Sequence, residues 1–171
     1  MGHGGKVFVT VGTTLFDALV RAVDKPECKA ALARQGYSSL MFQIGRGSYL
    51  PSKEDDVGGL LKVDFFTFSP DLKDHLSSAD LVISHAGSGS IFETLRMGKP
   101  LIVVVNEALM DNHQAELAEE LAAQKYLMYA SPGTLLETVI NIDVDSLAPY
   151  KSSNPLALVK SLNSFLGFHD D

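Results

Sequence analysis

The sequence predicts an α/β protein with a parallel sheet and helices on both faces of that sheet. Short apolar runs rich in β-branched residues alternate with segments whose apolar residues recur at helical spacing. This alternation favours parallel strands joined by helical crossovers. Because no internal repeat, low-complexity tract or linker marks a second domain, we expect residues 1–171 to form a single domain.

Six apolar runs are expected to form the strands of this sheet. The first, "KVFVTV", has the continuous apolar character of a strand buried on both faces. The polar stretch 51–60, "PSKEDDVGGL", is expected to be an exposed loop between the second and third strands. The predicted strands are residues 6–11, 39–44, 62–68, 81–84, 101–105 and 126–130.

Helical periodicity and capping residues predict the helices. Between residues 15 and 23, the apolar side chains share one helical face. Gly36 and Gly98 are placed to end helices, and Pro100 prevents the second of these from continuing. Asn154 followed by Pro155 predicts the start of a last helix, at about 155–166, with an apolar face. The other predicted helices are residues 15–23, 27–34, 71–78, 90–97, 111–124 and 132–140.

Composition excludes several classes of protein. The net charge is −7 and no basic block occurs, which argues against a nucleic-acid partner. The single cysteine, Cys28, allows no intrachain disulfide, and the chain has no N-glycosylation sequon, as is typical of a reducing compartment. The longest apolar run, "PLIVVV", is too short to span a bilayer, so no direct transmembrane insertion is expected. A membrane substrate would require another molecule to recruit the chain.

Small residues follow three of the predicted strands, at Gly12–Thr14, Gly45–Gly47 and Ala86–Ser90. Ligands of open α/β sheets bind at the carboxyl ends of the strands, and a helix N-terminus presents free N–H groups to an anion. Any one loop alone is better explained as a tight turn, but three at the same edge favour an anion site. The pattern is neither a Walker A motif nor a G-x-G-x-x-G fingerprint.

Two residues near the third loop have both a structural and a functional interpretation. Glu93 can complete a capping box with Ser90, or its carboxylate can accept hydrogen bonds from the two hydroxyls of a ribose. His85 can be a histidine with its hydrogen bonds satisfied at a strand end, or it can contact a phosphate or a sugar hydroxyl. The residue types alone leave both questions open.

A second polar segment, "MDNHQAEL", follows the fifth predicted strand. Asp111 and Gln114 have capping-box spacing, yet Asn112, His113 and Gln114 also offer the paired donors and acceptors that suit sugar hydroxyls. HExxH and CxxC motifs are absent, so the sequence carries no metal signature.

The segments "VFVTVGTTLFD", "QIGRG", "ADLVISHAGSGSIFETL" and "GKPLIVVVNEALMDNHQAELAEEL" together resemble one known family. This is the family of catalytic subunits of the two-chain UDP-N-acetylglucosamine transferase of asparagine-linked glycosylation. The resemblance runs from about Val7 to Tyr129, with a weaker tail to Phe165. The chain is also similar to the C-terminal half of the bacterial peptidoglycan N-acetylglucosaminyltransferase.

The resemblance implies the Rossmann-like, donor-binding C-terminal half of a GT-B glycosyltransferase. The reaction it implies is inverting and metal-independent, with no cofactor. It transfers N-acetylglucosamine from UDP-GlcNAc to the lipid-linked acceptor dolichol-diphosphate-GlcNAc. The missing half would be a membrane-anchored, acceptor-binding partner subunit, which recruits this cytoplasmic chain to the cytosolic face of the endoplasmic reticulum. The predicted helix at 155–166 is expected to dock on that partner.

Site residues follow from the resemblance position by position. Gly87, Ser88, Gly89 and Ser90 match the loop that binds the donor diphosphate, and Glu93 matches the glutamate that holds the ribose. Gly12, Thr13 and Thr14 match the first loop, which faces the cleft. Arg46 matches a position near the cleft. The segment that reads the sugar is matched by Asn112, His113 and Gln114.

No general base is assigned in this chain. In the bacterial relative the candidate base belongs to the other half of the enzyme. His85 and His113 are therefore only weak candidates for the general base in this chain. That relative also has an arginine at the position of His85. The alternatives are a non-catalytic nucleotide-binding module, a nucleotide-sugar epimerase or a dinucleotide oxidoreductase. The last would require an acidic residue at the end of the second strand, where this chain has Gln43 and Ile44.

Overall fold

A six-stranded, fully parallel sheet forms the centre of the structure, a computed structural model that describes residues 5–53, 61–107 and 112–150. The predicted α/β class is therefore confirmed. The strands are β1 (Gly5–Thr10), β2 (Tyr37–Gln43), β3 (Lys62–Phe66), β4 (Leu81–His85), β5 (Leu101–Val104) and β6 (Met128–Ala130). The α-helices in these ranges are α1 (Asp17–Asp24), α2 (Pro26–Arg34), α3 (Lys73–Ser78), α4 (Ser88–Arg96), α5 (Asn112–Ala123) and α6 (Leu135–Ile140).

The order of the strands reverses at the middle of the sheet. The spatial order is β3-β2-β1-β4-β5-β6, so the chain moves outward from β1 to β3 and then returns to place β4 beside β1. Val7 pairs with Leu40 of β2 on one side and with Leu81 of β4 on the other. The crossovers that flank this point leave in opposite directions, which opens a crevice at the carboxyl ends of β1 and β4.

Alternation along β1 divides the apolar residues between two cores. Val7 and Val9 belong to the core that α1, α2 and α6 cover, whereas Phe8 belongs to the core under α3, α4 and α5. Helices therefore cover both faces of the sheet, as predicted. Burying each large side chain stabilises the fold by about 1.5–3 kcal/mol, so the two cores hold the strand ends in fixed positions.

The glycines predicted to end helices do so. Gly36 and Gly98 follow α2 and α4 with φ angles of 98° and 72°, in the left-handed region that favours glycine. The predicted helix from Asn154 and Pro155, and residues 54–60 of the predicted loop, lie outside the described residues. Within the described ranges, every helix is too short or too polar to span a bilayer.

Two of the boundaries that differ from the prediction lie at α4 and β3. Helix α4 begins at Ser88 rather than at Ser90, and β3 ends at Phe66 rather than at residue 68. Just after β3, the Thr67 carbonyl accepts hydrogen bonds from the Gly45 N–H and the Gln43 side chain, at 3.1 and 2.8 Å. A short 3₁₀ helix at Val144–Ser146 was not predicted.

A buried polar cluster connects α1, α2 and the segment that follows β2. The Lys29 Nζ is 2.6 Å from the Asp24 Oδ1, and the two side chains are 1% and 4% exposed. The Tyr49 hydroxyl donates to the Asp24 Oδ2 at 2.5 Å, and this bond raises the pKa of Tyr49 to about 12. Lys29 also donates to the Ser52 carbonyl at 2.9 Å. These four residues, the Asp24 cluster, fix the segment that follows β2 against α1 and α2.

Candidate functional site

A cleft of about 330 Å³ lies where the strand order reverses. The loop after β1 contributes Gly12 and Thr13 to its lining, and the start of α4 contributes Gly87, Gly89 and Ser90. These five residues come from two of the three loops that the sequence predicted to meet at one edge. A cleft of this size suits a nucleotide-sized ligand, since ligand pockets span about 300–1,000 Å³.

The first turn of α4 opens into this cleft. Gly87 precedes the helix with extended backbone angles, and among the described residues no side chain caps the helix start. The first N–H groups of an α-helix have no partner within the helix, and the helix dipole makes this end positive. Because Gly87 and Gly89 have no side chains, a ligand can approach these amides closely.

The His85 ring fills the space between the two cleft loops. A Cβ atom on Gly12 would lie 2.6 Å from the His85 Nε2, and a Cβ atom on Gly87 would collide with the same ring. The Ser90 Oγ is 3.3 Å from that Nε2. Burial lowers the pKa of His85 below its usual value of 6.5, so the ring is mostly neutral at neutral pH. A neutral ring can accept from Ser90 or donate to it.

The helix boundary excludes the capping-box interpretation of Glu93. Helix α4 begins at Ser88, which places Ser90 in its third position rather than at the N-cap, and the Ser90 hydroxyl approaches His85 instead. The capping box is therefore wrong. Glu93 is half-buried and lies one turn beyond Gly89 and Ser90, on the same side of the helix.

Other predicted residues do not line the cleft itself. The Thr14 hydroxyl donates to the Val11 carbonyl at 2.8 Å, within its own turn. Arg46 is exposed, and its amide donates to the Thr14 carbonyl at 3.2 Å. Ser88 and Glu93 adjoin the lining residues without belonging to them.

The polar segment after β5 begins α5. Asn112 is its first residue, and His113 and Gln114 stand in its first turn. The His113 side chain is 55% exposed, with its Nδ1 3.9 Å from the Glu116 Oε2. The proposed capping residue Asp111 and the side chain of Asn112 lie outside the described part of the chain.

The sequence analysis missed the wall of the cleft formed by Phe68, Ser69 and Leu72. Residue 68 was assigned to the third predicted strand, but β3 ends earlier and the Phe68 side chain is 53% exposed. Pro70 was the available signal, since a proline two residues after an apolar run indicates a turn that begins within the run. Gln43 also lines the cleft and was noted only for not being acidic.

The comparisons with known proteins identify the family. The Glycosyltransferase family 28 C-terminal domain matches residues 6–163. The chain belongs to this family. The family resemblance read from the sequence is also confirmed by curated relatives named UDP-N-acetylglucosamine transferase subunit ALG13. The Homo sapiens protein is 43% identical over 162 residues, which is 95% of this chain and 14% of that protein. The Yarrowia lipolytica protein is 42% identical over 123 residues, 71% of this chain and 63% of that one.

Solved structures support the same assignment. An NMR solution structure of ALG13 superimposes with a TM-score of 0.71 at 30% identity, covering 93% of this chain and 95% of that one. The crystal structure of Acinetobacter baumannii MurG matches with a TM-score of 0.63, over 86% of this chain and 44% of MurG. At 19% identity the MurG match shows the fold alone, and it confirms the Rossmann-like fold expected for one half of a GT-B enzyme.

Three alanine substitutions separate the two reasons why the cleft needs glycine. Gly12 combines a φ of 66° with the His85 contact, Gly98 has a positive φ with open space around it, and Gly89 has open space alone. We expect Gly12→Ala to lower the free energy of unfolding more than Gly98→Ala. The only cost of Gly98→Ala is backbone strain at a positive φ, about 1–3 kcal/mol. Gly89→Ala should change it by less than about 1 kcal/mol. Urea unfolding followed by circular dichroism measures all three.

An unchanged stability in Gly12→Ala would show that His85 does not pack against the first loop as described.

Proposed function

We propose that this chain is the catalytic, UDP-GlcNAc-binding subunit of an inverting N-acetylglucosaminyltransferase. It would add the second N-acetylglucosamine to dolichol-diphosphate-GlcNAc. The observation that supports this most directly is the uncapped first turn of α4, with glycines at its N-cap and second position, facing a nucleotide-sized cleft. The proposed donor substrate is taken from the relatives named as UDP-N-acetylglucosamine transferase subunits. The chain spans only part of these relatives, so activity and substrates are carried over as part of the proposal.

The donor diphosphate would bind the main-chain amides of Gly87–Ser90. Both the helix dipole and the unpaired N–H groups favour an anion at this place. The Ser88 and Ser90 hydroxyls offer further donors, and Thr13 faces the site from the loop after β1. Metal independence belongs to the same proposal, because these amides supply the positive field that a bound cation supplies in other enzymes.

In the proposed reaction the acceptor hydroxyl attacks the anomeric carbon of the donor. A carbon–oxygen bond forms to the acceptor, the bond to the UDP oxygen breaks with inversion, and the hydroxyl proton passes to a base. Negative charge grows on the diphosphate as UDP leaves. Amides already aimed at that position stabilise the transition state more than the ground state, and one such donor is typically worth about 3 kcal/mol.

The neutral His85 ring adds a group that can respond to this charge. It lies against both cleft loops, and its Nε2 contacts Ser90. Burial lowers the pKa of His85, which keeps the ring neutral before a ligand binds. A bound diphosphate would favour the imidazolium form, so His85 is assigned to donor binding rather than to base catalysis.

The ribose and the base of the nucleoside would contact two different sides of the cleft. Glu93 is assigned to the ribose hydroxyls, since it lies one turn below the phosphate-binding amides and does not cap the helix. The exposed ring of Phe68, beside Leu72, offers an aromatic face on which a nucleobase can stack. Arg46, Thr14 and the first turn of α5, with Asn112, His113 and Gln114, remain assigned to the rim and the sugar.

The acceptor and the general base are assigned to a membrane-anchored partner subunit. The described residues that line the cleft are assigned to the donor, and none of them is assigned to a lipid-linked acceptor. The partner would hold the chain at the cytosolic face of the endoplasmic reticulum. Residues 154–171, whose sequence is rich in large apolar residues, are the segment proposed to dock on it.

Glu93→Gln tests the ribose assignment without removing the side chain. The amide keeps one acceptor oxygen but loses the negative charge and the second acceptor, which should weaken UDP-GlcNAc binding by about 2 kcal/mol, or roughly 30-fold. Glu137→Gln, on an exposed position of α6 far from the cleft, is the matched control and should bind as the unmodified chain does. Amide chemical shifts recorded during titration with UDP-GlcNAc, UDP and NAD give the affinities.

Shifts of the residue 87–93 amides with UDP-GlcNAc and UDP, but not with NAD, are expected. A response to NAD alone would favour the oxidoreductase alternative, and equal affinities for the two glutamate variants would remove Glu93 from the site.

Partner dependence is tested by a transfer assay with three preparations, each containing EDTA because no metal is proposed. The full chain with the partner should transfer N-acetylglucosamine to the lipid-linked acceptor. The full chain alone should bind donor weakly and transfer negligibly, because the base and the acceptor site are missing. The chain lacking residues 154–171 should fail to co-purify with the partner and therefore fail to transfer.

Brisk transfer by the isolated chain would contradict the divided active site, and an intact complex without residues 154–171 would contradict the proposed docking segment.

A further inference from the structure

The Gln43 side chain joins the ends of three neighbouring strands beneath the cleft. It stands at the last position of β2 and is 2% exposed. Its Oε1 accepts from the Thr10 hydroxyl at 2.6 Å and from the Gly12 N–H at 3.0 Å. Its Nε2 donates to the Gly12 carbonyl at 2.7 Å and to the Thr67 carbonyl at 2.8 Å.

These four bonds use the full capacity of the side-chain amide. A glutamine amide offers two acceptor positions on its oxygen and two donor hydrogens on its nitrogen, and all are engaged here. The partners also fix which end is which. A flipped amide would point its NH₂ at the Gly12 N–H and its oxygen at two carbonyls. The arrangement therefore has a single satisfied orientation.

Gly12 is held at both of its peptide groups by this one side chain. Its N–H also contacts the Thr10 hydroxyl at 3.1 Å, and its φ of 66° lies in the left-handed region. No other residue type could replace Gln43 in this role without loss. An apolar side chain of similar volume would leave the Thr10 hydroxyl, the Gly12 carbonyl and one acceptor position of Thr67 short of a partner. The Gly12 N–H would keep only its longer contact with the Thr10 hydroxyl.

The bonds from Gln43 also affect the side of the loop after β1 that lines the cleft. Gly12 and Thr13 line the cleft, and the His85 ring packs directly on Gly12. The orientation of the Gly12 peptide therefore sets both the face that the first loop presents to a ligand and the place where His85 rests. Thr67 begins the turn that carries Phe68 into the opposite wall.

We propose that Gln43 is a positioning residue, which clamps the loop after β1 to the turn after β3 and so holds the cleft in the geometry that receives a nucleotide-sugar. The ligand part of this statement rests on the function proposed above, whereas the clamp itself does not. Gln43 acts through Gly12 and Thr67 and makes no assigned contact with the reacting atoms.

Gln43→Met, in the full chain, removes the four bonds while keeping the volume. Gln43→Asn keeps the polar groups but is one methylene too short to reach both loops, and it serves as the second variant if the methionine does not fold. Tyr49→Phe is the matched control, because it removes one hydrogen bond of the Asp24 cluster, away from the cleft. Two readouts are needed: hydrogen exchange of the Gly12 amide without ligand, and the dissociation constant for UDP-GlcNAc.

Both Gln43 variants should speed exchange at Gly12 by about tenfold or more relative to amides of β5, since local opening then breaks only the contact with the Thr10 hydroxyl and no longer the bond to Gln43. Both should also raise the dissociation constant about tenfold, because a displaced loop no longer presents a formed site. Tyr49→Phe should lower the unfolding midpoint yet leave both readouts within about twofold of the unmodified chain.

Unchanged exchange at Gly12 in a folded Gln43 variant would overturn the clamp. Faster exchange with an unchanged dissociation constant would overturn its role in positioning the ligand loop. If the unmodified chain binds no UDP-GlcNAc even with a partner present, the proposed function fails instead, and the exchange measurement alone then decides whether the clamp exists.

Discussion

The proposed site depends on the main-chain N–H groups at the start of α4. They need a place in the sheet where they can face a ligand rather than another helix or strand. The reversal of strand order between β1 and β4 provides that place, because the neighbouring crossovers leave on opposite faces. Glycine at the N-cap and at the second helical position keeps the amides accessible. The roles proposed for the other residues of the site all assume that the diphosphate binds at these amides.

The packing around His85 shows how tightly the two loops are coupled. The ring occupies space that a Cβ atom on either Gly12 or Gly87 would need, so the packing of a neighbouring side chain already requires both glycines. Gln43 fixes the peptide groups of Gly12 from below, and Gly12 supports the ring from the side. The loop after β1, the ring and the first turn of α4 thus form one packed unit, and a shift in any of them would move the others.

The fold and part of the site could be predicted because they depend on local patterns. Apolar runs, helical periodicity and capping glycines such as Gly36 and Gly98 carry the alternation of strands and helices in the sequence itself. The clustering of Gly12, Thr13, Gly87, Gly89 and Ser90 followed from one rule about strand ends. Gln43 could not be found in this way, since its partners lie 24 to 33 residues away in the chain. Phe68 was missed because it continues the apolar run of the third predicted strand, whereas β3 ends at Phe66.

The account makes the donor diphosphate the ligand of the α4 amides, in a protein that provides only one side of the reaction. A crystal structure of the chain with UDP, with the partner present if the isolated chain binds too weakly, tests this most directly. We predict phosphate oxygens within about 3.2 Å of the main-chain nitrogens of residues 87–90. UDP bound elsewhere at full occupancy, with these nitrogens facing solvent, would contradict the central claim.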